Sequence, residues 1–176
     1  MGNGSSKRMV KVSLRGLVPC LMTVGTALFM ACSSVDCPVQ NTVYASYHLY
    51  AAGGERDTLS DTLSVSTTRR DGTDSVLLNR SVGTTAFELP MSYNDREDTL
   101  FFVIGDVQLR TTTDTVYVRK DNYPHFESVD CNISFFHNIT GVRWTRNGID
   151  SIGINKQTVD YDPSTEHFHI YFKARR

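Results

Sequence analysis

The chain has one tryptophan, five prolines and four cysteines in 176 residues. It lacks a long hydrophobic run. Its early apolar stretch, residues 17–31, falls short of the roughly 18 residues that a spanning helix needs. Apolar residues nowhere recur with a sustained helical period, which excludes a helical bundle or coiled coil. No G-x-S-x-G, H-E-x-x-H or phosphate-binding glycine loop is present. Serines and aspartates are plentiful, but no nucleophile stands paired with a base in the sequence. The reading is therefore non-catalytic, with no cofactor.

No acid precedes Cys32, whereas Lys7, Arg8, Lys11 and Arg15 do. A basic start, a short apolar stretch and the small Ala31 before a cysteine make a secretory signal of the lipoprotein type. Leu28-Phe29-Met30-Ala31-Cys32 reads as a lipobox, although Phe29 stands where Leu is preferred. Met9 onward still contains a complete signal, so Met9 is a second candidate start. The expected organisation is a signal peptide at 1–31, a lipid anchor on Cys32 with a short tether to residue 41, and one domain at 42–176. Four of the 18 basic residues lie before Cys32, leaving 14 against 19 acids and a formal charge of −5. A chain of that balance has no basic face for nucleic acid or anionic headgroups. Residues 32–176 suffice for one core, burying roughly 68–70% of the unfolded surface.

Once Cys20 leaves with the signal and Cys32 carries lipid, Cys37 and Cys131 remain in an oxidising compartment. They are expected to pair. Both close the same four residues, Ser34-Val35-Asp36-Cys37 and Ser128-Val129-Asp130-Cys131. A metal site or a catalytic thiol is the alternative; neither cysteine lies in a C-x-x-C or beside a histidine.

The remainder reads as strands. Val43, Ala45, Tyr47 and Leu49 alternate with Tyr44, Ser46, His48 and Tyr50. Gly53-Gly54 ends that strand. Leu59, Leu63 and Val65 share a face of the next, and Asp71-Gly72 is a hairpin signal before Val76-Leu77-Leu78. Phe87 and Leu89 precede the stop at Pro90. Residues 100–104 form a continuous apolar run, as in a central buried strand. Val107-Gln108-Leu109 and Val116-Tyr117-Val118 follow. A second hairpin is expected across Asn147-Gly148, joining 142–146 to 149–154, with a bulge or close approach at Gly153. The last strand, 167–172, places His167, His169 and Tyr171 opposite Phe168, Ile170 and Phe172. About eight short strands predict an all-β, antiparallel, immunoglobulin-like sandwich.

His167 and His169 share a predicted strand face and are weak zinc candidates. They support the alternative of a small metal-dependent hydrolase, but a catalytic zinc needs a third ligand that the sequence does not place. Asp160, Asp162 and Glu166 form an acidic loop without the ligand spacing of an EF-hand, so it reads as a solvated turn. Tyr44, Tyr50, Tyr93, Tyr123 and Trp144 are candidate contact aromatics.

Several runs together resemble a family of small uncharacterised Bacteroidota lipoproteins: the lipobox, residues 36–44 from Asp36-Cys37-Pro38, Thr73-Asp74-Ser75-Val76-Leu77-Leu78-Asn79, Leu89-Pro90-Met91-Ser92-Tyr93, and Asp130-Cys131 with Phe136-His137. The resemblance implies an exported, disulfide-bonded lipoprotein of the outer membrane and supplies no catalytic residues. Envelope proteins would be its partners. The segment after Cys32 lacks the acidic run that marks surface export in such lipoproteins, which implies a periplasm-facing domain. A recurring tripeptide, Asp then Ser or Thr then an aliphatic residue, looks like the O-glycosylation acceptor of the same bacteria. Its hydroxyls are Thr58, Thr62, Ser75, Thr99, Thr115 and Ser151. Read from the residues alone, the tripeptide is a strand entry: Asp and Thr bond nearby backbone, and the aliphatic residue starts the buried face. Asn132 and Asn138 head N-glycan sequons that are expected to stay empty.

Overall fold

Alternating side chains force alternate faces, and two one-sided sheets must cover each other. The computed structural model, which describes residues 37, 41–106 and 110–174, shows that outcome. Among the described residues ten strands run β1 (Tyr44–Leu49), β2 (Thr62–Thr68), β3 (Asp74–Ser81), β4 (Ala86–Pro90), β5 (Glu97–Gly105), β6 (Thr111–His125), β7 (Ser134–Trp144), β8 (Ile149–Ile154), β9 (Thr158–Val159) and β10 (Phe168–Phe172). They form a four-stranded sheet, β4-β1-β10-β8, and a six-stranded sheet, β3-β2-β5-β6-β7-β9. The fold is an all-β sandwich, as the periodicity predicts. The expected signal peptide with Ala31-Cys32, Val107–Leu109 and the last two arginines lie outside the described residues.

The core is the predicted set of inward positions. Tyr47 lies between Phe87 and Phe168, with ring centroids at 5.0 and 4.6 Å, and Phe102 meets it edge-on from the other sheet. Leu63, Val65, Val116, Ile139, Ile149 and Ile170 are fully buried around them.

Three expectations are corrected. First, the sandwich is not wholly antiparallel: β1 runs parallel to β10, with His48 opposite His169. Second, Asn147-Gly148 makes no hairpin, because β7 and β8 belong to different sheets. The chain turns a corner there. The buried Asp114 carboxylate accepts the N–H groups of Asn147, Gly148 and Ile149 at 2.8, 2.6 and 2.8 Å, and the Thr145 hydroxyl at 2.9 Å. Those bonds take the donors that a hairpin would have used in its own ladder. Asp71-Gly72, which has no such competitor, does close the β2–β3 hairpin, with Gly72 at φ 82°. Third, the irregularity in the β8–β10 pair falls between Tyr171 and Phe172 rather than at Gly153. A side chain at Gly153 would meet nothing closer than 4.0 Å.

Candidate functional site

The outer face of the four-stranded sheet gathers polar groups where β1 and β10 lie side by side. Ser46, His48 and Tyr50 project there by strict alternation, and His169 and Tyr171 come from β10. Gly54, at φ 86°, lets the chain reverse after Ala51, with Ala51 N–H bonded to Glu55 O at 2.8 Å. That turn lays Arg56 back over the Tyr50 ring, 4.8 Å from its centroid. Glu166 enters from the residues before β10 and joins these groups. Tyr50 donates its hydroxyl to Glu166 Oε2 at 3.0 Å, Arg56 pairs with Glu166 Oε1, and His169 Nε2 lies 3.3 Å from Oε2. The Tyr50 and His169 rings are 4.3 Å apart.

Electrostatics decides what this cluster does. Burial resists ionisation of Glu166, but the hydrogen bonds from Tyr50 and Arg56 outweigh it and hold the carboxyl below its usual range. Burial lowers the pKa of His48; Glu166 raises it, while Arg56 and His169 lower it, and the net shift is downward. His48 is thus neutral at pH 7. Arg56 carries only donors, so His48 Nδ1, which it contacts, must accept. The proton therefore sits on Nε2, which donates to Ser46 Oγ at 2.8 Å. A base that would activate Ser46 needs that nitrogen free to take a proton. The Ser46–His48 pair has the opposite polarity, and Ser46 is buried. The cluster is arranged to present charge and aromatic surface. Beside it lies a cleft of about 200 Å³ lined by Thr42, Tyr44, Glu88, Asp162 and Thr165 among others.

The predicted pair His167 and His169 is not brought together as a metal site, and β10 is not an edge strand, because β1 and β8 flank it. His167 is buried rather than facing solvent. Its Nδ1 accepts the Ser46 N–H at 3.0 Å, so Nε2 carries the proton and donates to Thr158 O at 3.1 Å. Both ring nitrogens are committed. Among the described residues no group of three or more His, Cys, Asp or Glu could hold a metal ion. The acidic loop divides: Asp162 accepts from Ser164 and Thr165 within its own turn, whereas Glu166 belongs to the cluster.

Cys37 and Cys131 are joined, with Cα atoms 5.4 Å apart, which binds the residues before β1 to the β6–β7 loop. The six hydroxyls of the tripeptide spread over the fold. Thr58 is exposed in the loop before β2, whereas Thr62, Ser75, Thr99, Thr115 and Ser151 are half-buried on strands. Leu63, Leu100, Val116 and Ile152 start buried faces as a strand entry requires. Val76 does not: it is 63% exposed on the edge strand β3. Asp114 lies inside β6 rather than at its entry, whereas Asp150 is the second residue of β8.

Sequence reasoning missed Arg56, and the partnership of Glu166 with β1. It also missed Lys120, fully buried, which bonds Asp98 at 2.7 Å and Asp95 O at 3.0 Å. The alternation around Lys120, with Val116 and Val118 inward, was the available signal.

Residues 62–172 match DUF6452, a family of unknown function. The chain belongs to this family. The match spans β2 to β10 and so holds Glu166 and His169, while His48, Tyr50 and Arg56 precede it. No curated protein and no solved structure matches the chain.

Proposed function

We propose that the chain is an exported lipoprotein, anchored through Cys32 to the outer membrane and facing the periplasm, that serves as a non-catalytic binding or accessory module of the cell envelope. The observation that carries this reading is the Cys37–Cys131 bond just after the lipobox. An exported chain lives where such bonds persist. The cluster at His48, Glu166 and His169 supports recognition over catalysis, since Glu166 is taken up by Tyr50 and Arg56 and Ser46 lacks a base. Partners would be other envelope proteins. One or more of the tripeptide hydroxyls would carry O-linked sugar, with Thr58 the accessible one.

The test is processing. Cys32→Ser should leave a larger, unlipidated species, and normal maturation and membrane partitioning of that variant would overturn the anchor. Protease applied to intact cells should spare the domain until the outer membrane is permeabilised; rapid loss would mean surface display. Crosslinking and pulldown of the tethered form should recover an envelope partner less efficiently when Arg56 is changed to Ala. Stoichiometric zinc in the purified protein, lost in His169→Ala, would instead favour the metal-dependent hydrolase.

A further inference from the structure

The loop between β6 and β7, residues 126–133, is short of partners for its apolar side chains. Phe126 is 62% exposed, Val129 99% and Ile133 48%, and Tyr123 at the end of β6 is 52% exposed. The loop is nonetheless a fixed object. His125 pairs with Ser134 across its base, Cys131 N–H bonds Ser128 O at 3.2 Å, and Cys131 is tied to Cys37. Three large apolar side chains held outward on one constrained loop mark a contact surface.

The chain itself points to the occupant. Cys37 is bonded to this loop and lies five residue steps from Cys32, at most about 17 Å of extended chain. Any bilayer that holds Cys32 is therefore within reach of the loop. We infer that Phe126, Val129 and Ile133 dip into the lipid leaflet that carries the Cys32 acyl chains, with the Tyr123 ring at the headgroup level. This rests on the proposed anchor and adds the face that meets the membrane. The loop contains Glu127 and Asp130 and no lysine or arginine. Its attachment is apolar, and anionic lipid should not strengthen it. Tyrosine suits the interface because its ring is apolar and its hydroxyl stays wet.

Mature protein purified from membranes, carrying Val129→Trp, tests the inference in vesicles of phosphatidylcholine with and without brominated acyl chains. Intact mass first establishes the lipid on Cys32. Brominated lipid should then remove most of the emission added at position 129. Trp144 emission in the parent protein should hold steady, as should that of Thr111→Trp at the opposite end of β6. Adding phosphatidylglycerol should leave the quenching unchanged. A lipidated protein whose added emission is unquenched overturns the inference and leaves the anchor standing, and the loop is then a protein-docking surface. Equal quenching at 111 and 129 overturns it too, since the domain then lies flat. A mature mass without lipid overturns the anchor, and with it the leaflet as occupant.

Discussion

The Asp114 carboxylate accepts the Gly148 N–H at 2.6 Å, binding together two residues 34 apart in the chain. The same carboxylate holds Asn147, Ile149 and Thr145, so one side chain fixes the corner where the chain leaves the six-stranded sheet for the four-stranded one. A buried donor left without a partner costs about 1–3 kcal/mol. Asp114→Ala should therefore lower the stability read by urea denaturation by at least about 3 kcal/mol, and Asp114→Asn by less, because its carbonyl still accepts. An alanine variant as stable as the parent would mean that the corner is held elsewhere.

Gly148 is constrained from its other side. A Cβ there would stand 2.7 Å from Ile104 Cδ1 and 3.2 Å from Thr112 Cγ2. Gly148→Ala should cost about 1–3 kcal/mol by overpacking. Ile104→Val removes the nearest clashing atom and should recover part of that loss in the double variant. Simple additivity of the two destabilisations would show that this contact is not the cause.

Lys120 is fully buried against Asp98, which burial pushes above the usual carboxylate range even though the Lys120 ammonium pulls it down. Removing one partner of a buried pair leaves the other uncompensated. Lys120→Met should destabilise by about 3–5 kcal/mol, and Lys120→Met with Asp98→Leu should regain most of it. Equal losses in the single and double variants would place the cost in packing rather than charge.

Burial depresses three histidines: His137 to about 4, aided by the nearby Lys120 charge, and His48 and His167 by directions of the same sign. Their unfolded values lie near 6.5, so below that pH the unfolded chain binds more protons than the folded one, down to about 4 for His137. Stability from these groups is present above pH 6.5 and is lost as pH falls through that window. Asp98, shifted upward, acts in the opposite direction at the acid end. The thermal midpoint should fall between pH 7 and 5, and His137→Asn should flatten the slope. A midpoint rising over that range would contradict the assignment.

Sugar on the tripeptide, if carried, should appear first at Thr58, the exposed hydroxyl of the six. Intact mass of the native protein should exceed polypeptide plus lipid, and Thr58→Val should remove an increment. An unmodified native mass would reduce all six copies to backbone-bonding devices such as Asp57, which accepts the Thr58 N–H at 2.7 Å.

Period-two alternation by itself determined that the chain is a two-layer β structure, because Val43, Ala45, Tyr47 and Leu49 can be buried together only from one face of a strand. It determined the Asp71-Gly72 hairpin as well, since the left-handed glycine and the Asp71 carboxylate act within a few residues. The Cys37–Cys131 pairing was legible as an expectation, from the two cysteines left outside the expected signal and anchor. Tertiary structure alone decided which strands share a sheet. Asn147-Gly148 has the local chemistry of a hairpin, yet Asp114 captures its donors from another strand. His167 reads as an exposed strand residue, yet the Ser46 N–H, 121 positions away, seats it inside. The same parallel pairing of β1 with β10 sets His48 beside His169, and Glu166 and Arg56 close on them from loops at either end of the chain. Local pattern fixes which face of a strand is apolar. Sheet partners and polar clusters depend on hydrogen bonds between distant segments, whose energies exist only once the layers have met.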